Sequence, residues 1–234
     1  MSAVTGSLCE RLRVDCAALW ESLHEHPFIA GLADGSLPPD TFRFYVEQNL
    51  QYLPEYGRAM ALAAGRAADV ETMRIFSSDL ANILETEIPE NEELRERVIA
   101  LGARDLGGSD GMAPANVAYT GFLVTTAATR RPVEVMAAIV PCTWSYGEIA
   151  CRREDAVADH PVYAEWVRFF ASEDYAALVT RMQADFERLV ERDGVPFERL
   201  SELFTLGVRL ERAFWDMAAD RAQWPDVRAR YEVP

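Results

Sequence analysis

The clearest chemical group in the sequence is a cysteine. It lies in Pro141-Cys142-Thr143-Trp144-Ser145-Tyr146, inside an apolar run from Val133 to Ile149 that reads as a helix. Residues four apart share a helix face, so Cys142 and Tyr146 point the same way, with Ser145 beside them and Trp144 turned away. Pro141 removes one backbone hydrogen bond and kinks the rod one residue before the thiol. The chemistry on offer is nucleophilic attack by sulfur, which needs a group that favours thiolate, and no Lys or His lies near Cys142 in the chain. A second group is Glu211, three residues before Phe214 and four before Trp215. Burial against aromatic rings raises a carboxyl pKa and suits it to proton transfer. A third is the stripe Asn49, Tyr52 and Tyr56, at i, i+3 and i+7 of one helix. Each also has an ordinary structural reading. Helical cysteines pack, tyrosine stripes fill cores with the hydroxyl reaching water, and a glutamate beside aromatics reaches solvent. Spacing alone leaves both open.

The elements that must position these groups are helical. Ser7 to about Ile29 carries Leu8, Leu12, Leu19 and Leu23 at helical spacing and is broken by His26-Pro27 and by Gly31 to Gly35. Ser36-Leu-Pro-Pro-Asp40 opens a helix that runs through Phe42, Tyr45, Asn49, Tyr52 and Tyr56 to about Ala67. Asp69 starts a third, to about Ile88, where Pro89 interrupts, and Glu92 to Leu101 forms a short helix. Leu106 to Gly111 reads as a plain loop. Pro114 to about Thr129, Pro132 to near Arg153, a helix after Asp159-His160-Pro161 with Trp166 and Phe170, Glu173 to Val190, and a long last helix from Pro196 complete the chain. No period-2 strand, internal repeat or linker is visible, so the expected fold is all-α, one helical bundle over residues 1–234.

Composition narrows the functions. Half of the 234 residues are apolar, enough for a sizeable core, and 38 acidic against 23 basic residues leave a net charge of −15. Such a surface repels phosphate backbones, which argues against nucleic-acid binding. No run is long enough to span a membrane and Met1 to Cys16 has no signal-peptide pattern. The four cysteines, 9, 16, 142 and 151, form neither a CxxC pair nor a disulfide pattern. A reduced, cytoplasmic protein is expected, with Cys9, Cys16 and Cys151 as packing residues. Of the three histidines, His26 and His160 each precede a proline at a helix boundary, where capping is expected. Glu85 and Glu87 lack a histidine at Glu-x-x-His spacing, so no metal and no cofactor are expected.

In its motifs the chain resembles the TenA family, also called thiaminase II or aminopyrimidine aminohydrolase. The resemblance spans nearly the whole chain. It runs through His26-Pro27-Phe28, Asp34-Gly-Ser-Leu-Pro38, Phe44-Tyr45-Val46-Glu47-Gln48-Asn49-Leu50-Gln51-Tyr52-Leu53, Ala118-Tyr119-Thr120, Pro141 to Tyr146, His160-Pro161-Val162-Tyr163 with Trp166, and Glu211 with Phe214-Trp215. It implies a haem oxygenase-like fold, a homotetramer, and cofactor-free hydrolysis of an aminopyrimidine C–N bond in thiamin salvage. By the same resemblance Cys142 is the nucleophile and Glu211 the acid/base. Tyr146 hydrogen-bonds near the cysteine, Tyr119 places a ring near the pyrimidine, and Tyr52 and Phe214 line the pocket. Two positions depart from the family: Asn49 stands where an aspartate is usual, and Phe170 where a tyrosine is. Asparagine keeps the shape and one acceptor but loses the charge and swaps the other acceptor for a donor, which points to an altered heterocyclic amine as substrate and predicts that Asn49→Asp raises activity on the aminopyrimidine. The alternative reading is a ligand-binding or regulatory protein without catalysis.

Overall fold

Proline and short polar caps set most of the helix starts. The computed structural model describes residues 6–153, 155 and 160–231, and Asp159, read above as leading into a helix, lies outside them. The order is α1 (Leu8–Asp15), α2 (Ala17–His24), α3 (Pro27–Asp34), α4 (Pro39–Gly65) and α5 (Val70–Asn82). A π turn (Ile83–Glu87) leads into α6 (Ile88–Ala100). Then come α7 (Pro114–Thr129), α8 (Pro132–Cys151), α9 (Tyr163–Phe170), α10 (Glu173–Asp193), α11 (Phe197–Asp220) and α12 (Pro225–Tyr231). Ser7, Asp69 and Ser172 accept backbone N–H bonds at the starts of α1, α5 and α10. No strand occurs among the described residues.

The sequence reading is corrected in several places: α3 runs through Gly31 to Asp34, α12 follows the long last helix, and two further boundaries differ for a physical reason. The first helix is divided: Cys16 leaves helical geometry at φ −119° and ψ 29°, and the chain turns there. The turn lays Trp20 between Trp144 of α8 and Phe204 of α11, with ring centroids 4.9 and 5.8 Å away. No breaker residue marks this; tertiary packing does. Pro89 does not interrupt its helix. It sits in the first turn of α6, and the π turn before it shifts the hydrogen-bond register so that a residue without an amide N–H fits a continuous helical path. Cys151 is a further correction, because it is exposed, whereas Cys9 and Cys16 are buried.

Both histidine turns do cap. His26 Nδ1 accepts from Phe28 N at the start of α3, and His160 Nδ1 accepts from Tyr163 N at the start of α9. α8 is buried along nearly its whole length and packs on α11, α10 and α7, while α4 packs on α5, α6, α7 and α11. The stretch 106–113 is clamped rather than plain. Gln48 Nε2 donates to Gly108 O and Gly111 O, its Oε1 accepts from Ala113 N, and Gln223 Nε2 donates to Gly107 O. This clamp fixes where α7 begins against α4, and therefore where Tyr119 stands.

Candidate active site

α8 runs without interruption through Pro141 and holds Cys142, half-buried, against Tyr52 and Glu211. Ser145 does not face the thiol: its Oγ donates to Cys142 O at 3.2 Å, satisfying a carbonyl of its own helix. Trp144 lies on the opposite face, as the spacing predicts. Glu211 reaches the thiol from α11 because Gly207, one turn earlier on the same face, lets the helices meet closely. A Cβ at Gly207 would lie 2.8 Å from Ala138 O and 3.1 Å from Pro141 Cγ. The acid and the thiol are thus carried on two helices in direct backbone contact.

Glu211 is 1% exposed. Its Oε1 accepts from the Tyr119 hydroxyl of α7 at 2.5 Å. Burial raises its pKa to about 7, although Tyr119 and Cys142 both favour the charged form. Burial also pushes the Cys142 thiol well above its ordinary value, and the nearby Glu211 carboxylate adds to that shift. At neutral pH the resting sulfur is therefore a thiol, and Glu211 is poised between its two states. The Tyr52 hydroxyl of α4 opposes this by donating to Cys142 Sγ at 3.8 Å. Proton transfer from sulfur to carboxylate, coupled to attack, is what this arrangement can do.

Of the other predicted residues, Tyr52 and Tyr119 touch this pair and Phe214 packs on Tyr52, whereas Tyr146, Phe170 and Asn49 make their contacts elsewhere. Tyr119 lies 5.1 Å from the Tyr52 ring, and Tyr52 stacks on Tyr56 at 5.6 Å and meets Phe214 edge-on at 5.8 Å. Tyr56 reaches Thr143 Oγ1 at 3.3 Å. Tyr146 is bonded away from the sulfur, in a relay in which Trp166 Nε1 donates to the Tyr45 hydroxyl and Tyr45 donates to Tyr146. The tyrosine that reaches Cys142 is Tyr52. Phe170 packs behind, 4.9 Å from Tyr146 and 4.8 Å from Trp166. Asn49, 7% exposed, points from α4 towards α6 and donates through Nδ2 to Asn91 Oδ1 at 2.9 Å.

Three further groups that sequence reasoning did not place at the site belong to these contacts. Tyr45 is fully buried in the relay above, with its ring 5.3 Å from Trp215. Asn91 holds Asn49. Glu87, at the end of the π turn, accepts from Asn82 at 2.9 Å, has its pKa raised by burial to about 7, and is near enough to raise Cys142 further. The only signal for the last two is their spacing of four residues across Pro89. Among the described residues no group of three or more His, Cys, Asp or Glu side chains is arranged to hold a metal ion.

The profile of the TENA/THI-4/PQQC family matches residues 14–221 of this chain. The chain belongs to the TENA/THI-4/PQQC family. An aminopyrimidine aminohydrolase of Halalkalibacterium halodurans is 31% identical over 212 residues, covering 88% of this chain and 92% of that protein. One of Helicobacter pylori is 30% identical over 205 residues, covering 86% and 93%. The solved TenA homologue from P. horikoshii superposes with a TM-score of 0.80 at 29% identity, over 92% of this chain and 99% of that one. A Shewanella denitrificans domain described as having a heme oxygenase-like fold superposes at 0.73 and 13% identity, covering 99% of this chain and 100% of that one, a likeness of fold alone. The family match covers every residue of the cluster just described, from Asn49 on α4 to Phe214 on α11.

Proposed function

We propose that the chain is a cofactor-free hydrolase that cleaves the exocyclic C–N bond of an aminopyrimidine, in thiamin salvage, with Cys142 as nucleophile and Glu211 as acid/base. The observation that carries this reading is the thiol and the carboxylic acid side by side in a buried aromatic site, the acid with a pKa raised to about 7. The curated names of the two bacterial relatives support the substrate class.

The steps balance with these groups alone. The Cys142 proton passes to Glu211 as sulfur bonds to a ring carbon. Glu211 then gives that proton to the departing amine, and the electron pair of the adduct forms an exocyclic methylene as the C–N bond breaks. Water adds to the methylene, the C–S bond breaks, and sulfur regains a proton. An aminomethylpyrimidine and water become a hydroxymethylpyrimidine and ammonia. Tyr119 holds one carboxylate oxygen, which leaves the other for the proton.

A non-catalytic, regulatory reading finds no support in the charge: a net −15 is unsuited to contact with DNA. A homotetramer belongs to the same proposal. It rests on the family resemblance, the exposed apolar side chains such as Val70, Met73, Leu84 and Val117 being spread over several elements. The test is steady-state hydrolysis of 4-amino-5-aminomethyl-2-methylpyrimidine and of thiamin by the folded protein and by Cys142→Ser. Turnover of at least one by the wild type and its loss in the variant are expected. No turnover of either compound sinks the substrate assignment, and an active Cys142→Ser sinks the nucleophile.

A further inference from the structure

Asn91 is joined to the α4 stripe of Asn49, Tyr52 and Tyr56 by hydrogen bonds whose directions are forced. Its Nδ2 donates to Glu87 O at 2.8 Å. A backbone carbonyl can only accept, so the Asn91 amide cannot be turned over, and its Oδ1 must face α4. That oxygen accepts from Asn49 Nδ2 at 2.9 Å. Asn49 is fixed in turn, because flipping it would set two carbonyl oxygens against each other. Its own Oδ1, the other arm of that amide, takes no hydrogen bond among the described residues, while its helix neighbours Tyr45 and Tyr52, four before and three after, reach Tyr146 and Cys142.

We propose that Asn91 is a positioning residue which holds Asn49 with its carbonyl oxygen towards the substrate, so that this site reads an N–H of the heterocycle with a neutral acceptor. The inference rests on the substrate site proposed above. Read from sequence, asparagine carries one acceptor and one donor; the donor is consumed by Asn91, so the acceptor is what remains, and the expected effect of Asn49→Asp changes sign. The π turn makes this possible. Its extra residue rotates everything after Glu87 by about 100° relative to an uninterrupted α-helix, which brings Asn91 round to the α4 side. An aspartate at position 49 would place a carboxylate oxygen against Asn91 Oδ1. Asn91 could relieve that contact only by giving up Glu87 O and turning its own carbonyl towards it.

The test is a double-mutant cycle of wild type, Asn49→Asp, Asn91→Ala and the double variant. It is read both by kinetics on the aminomethylpyrimidine and by thermal denaturation. Asn91→Ala should raise KM about tenfold with a much smaller change in kcat, as expected for loss of one positioning hydrogen bond. Asn49→Asp should lower kcat/KM by about tenfold or more and lower the melting temperature, and Asn91→Ala should recover part of both losses. A general structural role for Asn91 would make the double variant worse than either single one. Asn91→Ser, which retains a hydroxyl able to donate to the aspartate, carries the same prediction if the alanine variant does not fold. Asn49→Asp at or above wild-type activity and stability, or strictly additive effects, overturns the proposal. A wild type inactive on this compound, with non-additive melting temperatures, refutes the substrate reading and leaves the amide relay standing.

Discussion

Replacing Gly207 by alanine should part the two helices that carry the thiol and the acid. The added Cβ would stand 2.8 Å from Ala138 O, about 0.6 Å inside the 3.4 Å at which ordinary contact begins. It would also meet Pro141 Cγ at 3.1 Å. The nearer obstacle is backbone, so no rotamer change relieves it. In an unconstrained helix interior the same substitution stabilises by about 1 kcal/mol, because glycine is a poor helix former. Overpacking of a well-filled core costs roughly 1–3 kcal/mol, so the net change here is a loss of about 0–2 kcal/mol. Activity should suffer more. Glu211 lies one turn beyond Gly207 and Cys142 one residue beyond Pro141, so a separation of half an ångström is transmitted directly to the pair. Since a misplacement of about 1 Å costs on the order of a hundredfold, a loss of about tenfold in kcat is expected. Urea denaturation and steady-state turnover measure both. Gly121, which has nothing within 4 Å of a built Cβ, is the control, and Gly121→Ala should gain stability without losing activity. A Gly207→Ala protein that gains the same stability and keeps its kcat would refute the close-contact account.

Glu211→Gln should be more stable than wild type above neutral pH, and the gain should vanish near pH 4. Burial raises the carboxyl pKa to about 7, so its folded-state contribution is intact below the unfolded value near 4.3 and is lost as pH rises to 7. The gap is worth roughly 3–4 kcal/mol above pH 7, with the bond from Tyr119 already counted in the raised value, and urea midpoints of both proteins at pH 4.5 and 8 read it. Tyr52→Phe keeps the stacked ring and removes the donor that lowers the Cys142 pKa, so alkylation of Cys142 at pH 8 should slow several-fold with the melting temperature nearly unchanged. Unchanged alkylation would show that Tyr52 does not tune the sulfur.

Much of this architecture is legible in the chain because proline, glycine and capping residues mark where helices begin, as at Pro39, Pro114 and Pro132. Cys16 and Pro89 escape for opposite reasons. One break has no local signature and follows from seating Trp20, while the other signature is neutralised by a π turn. Residue type and apolar context single out Cys142 and Glu211. Their approach depends on Gly207, a residue with no chemistry of its own. Helical spacing also suggests Tyr146 as the partner of Cys142, since they share a face, but the hydroxyl that arrives belongs to Tyr52 on α4. The Asn49–Asn91 bond spans 42 positions and is set by how α6 lies on α4, which no periodicity within either helix records.

The pairing of Cys142 with Glu211 is tested most directly by the pH dependence of kcat/KM for the aminomethylpyrimidine, in wild type and in Glu211→Gln. The wild type should show a limb with a midpoint near pH 7, the value to which burial raises Glu211. In Glu211→Gln that limb should disappear and the rate should fall by about a hundredfold or more, as when a general acid/base is removed. A variant that kept both the limb and the rate would contradict the account, because the proton would then be moving through some other group.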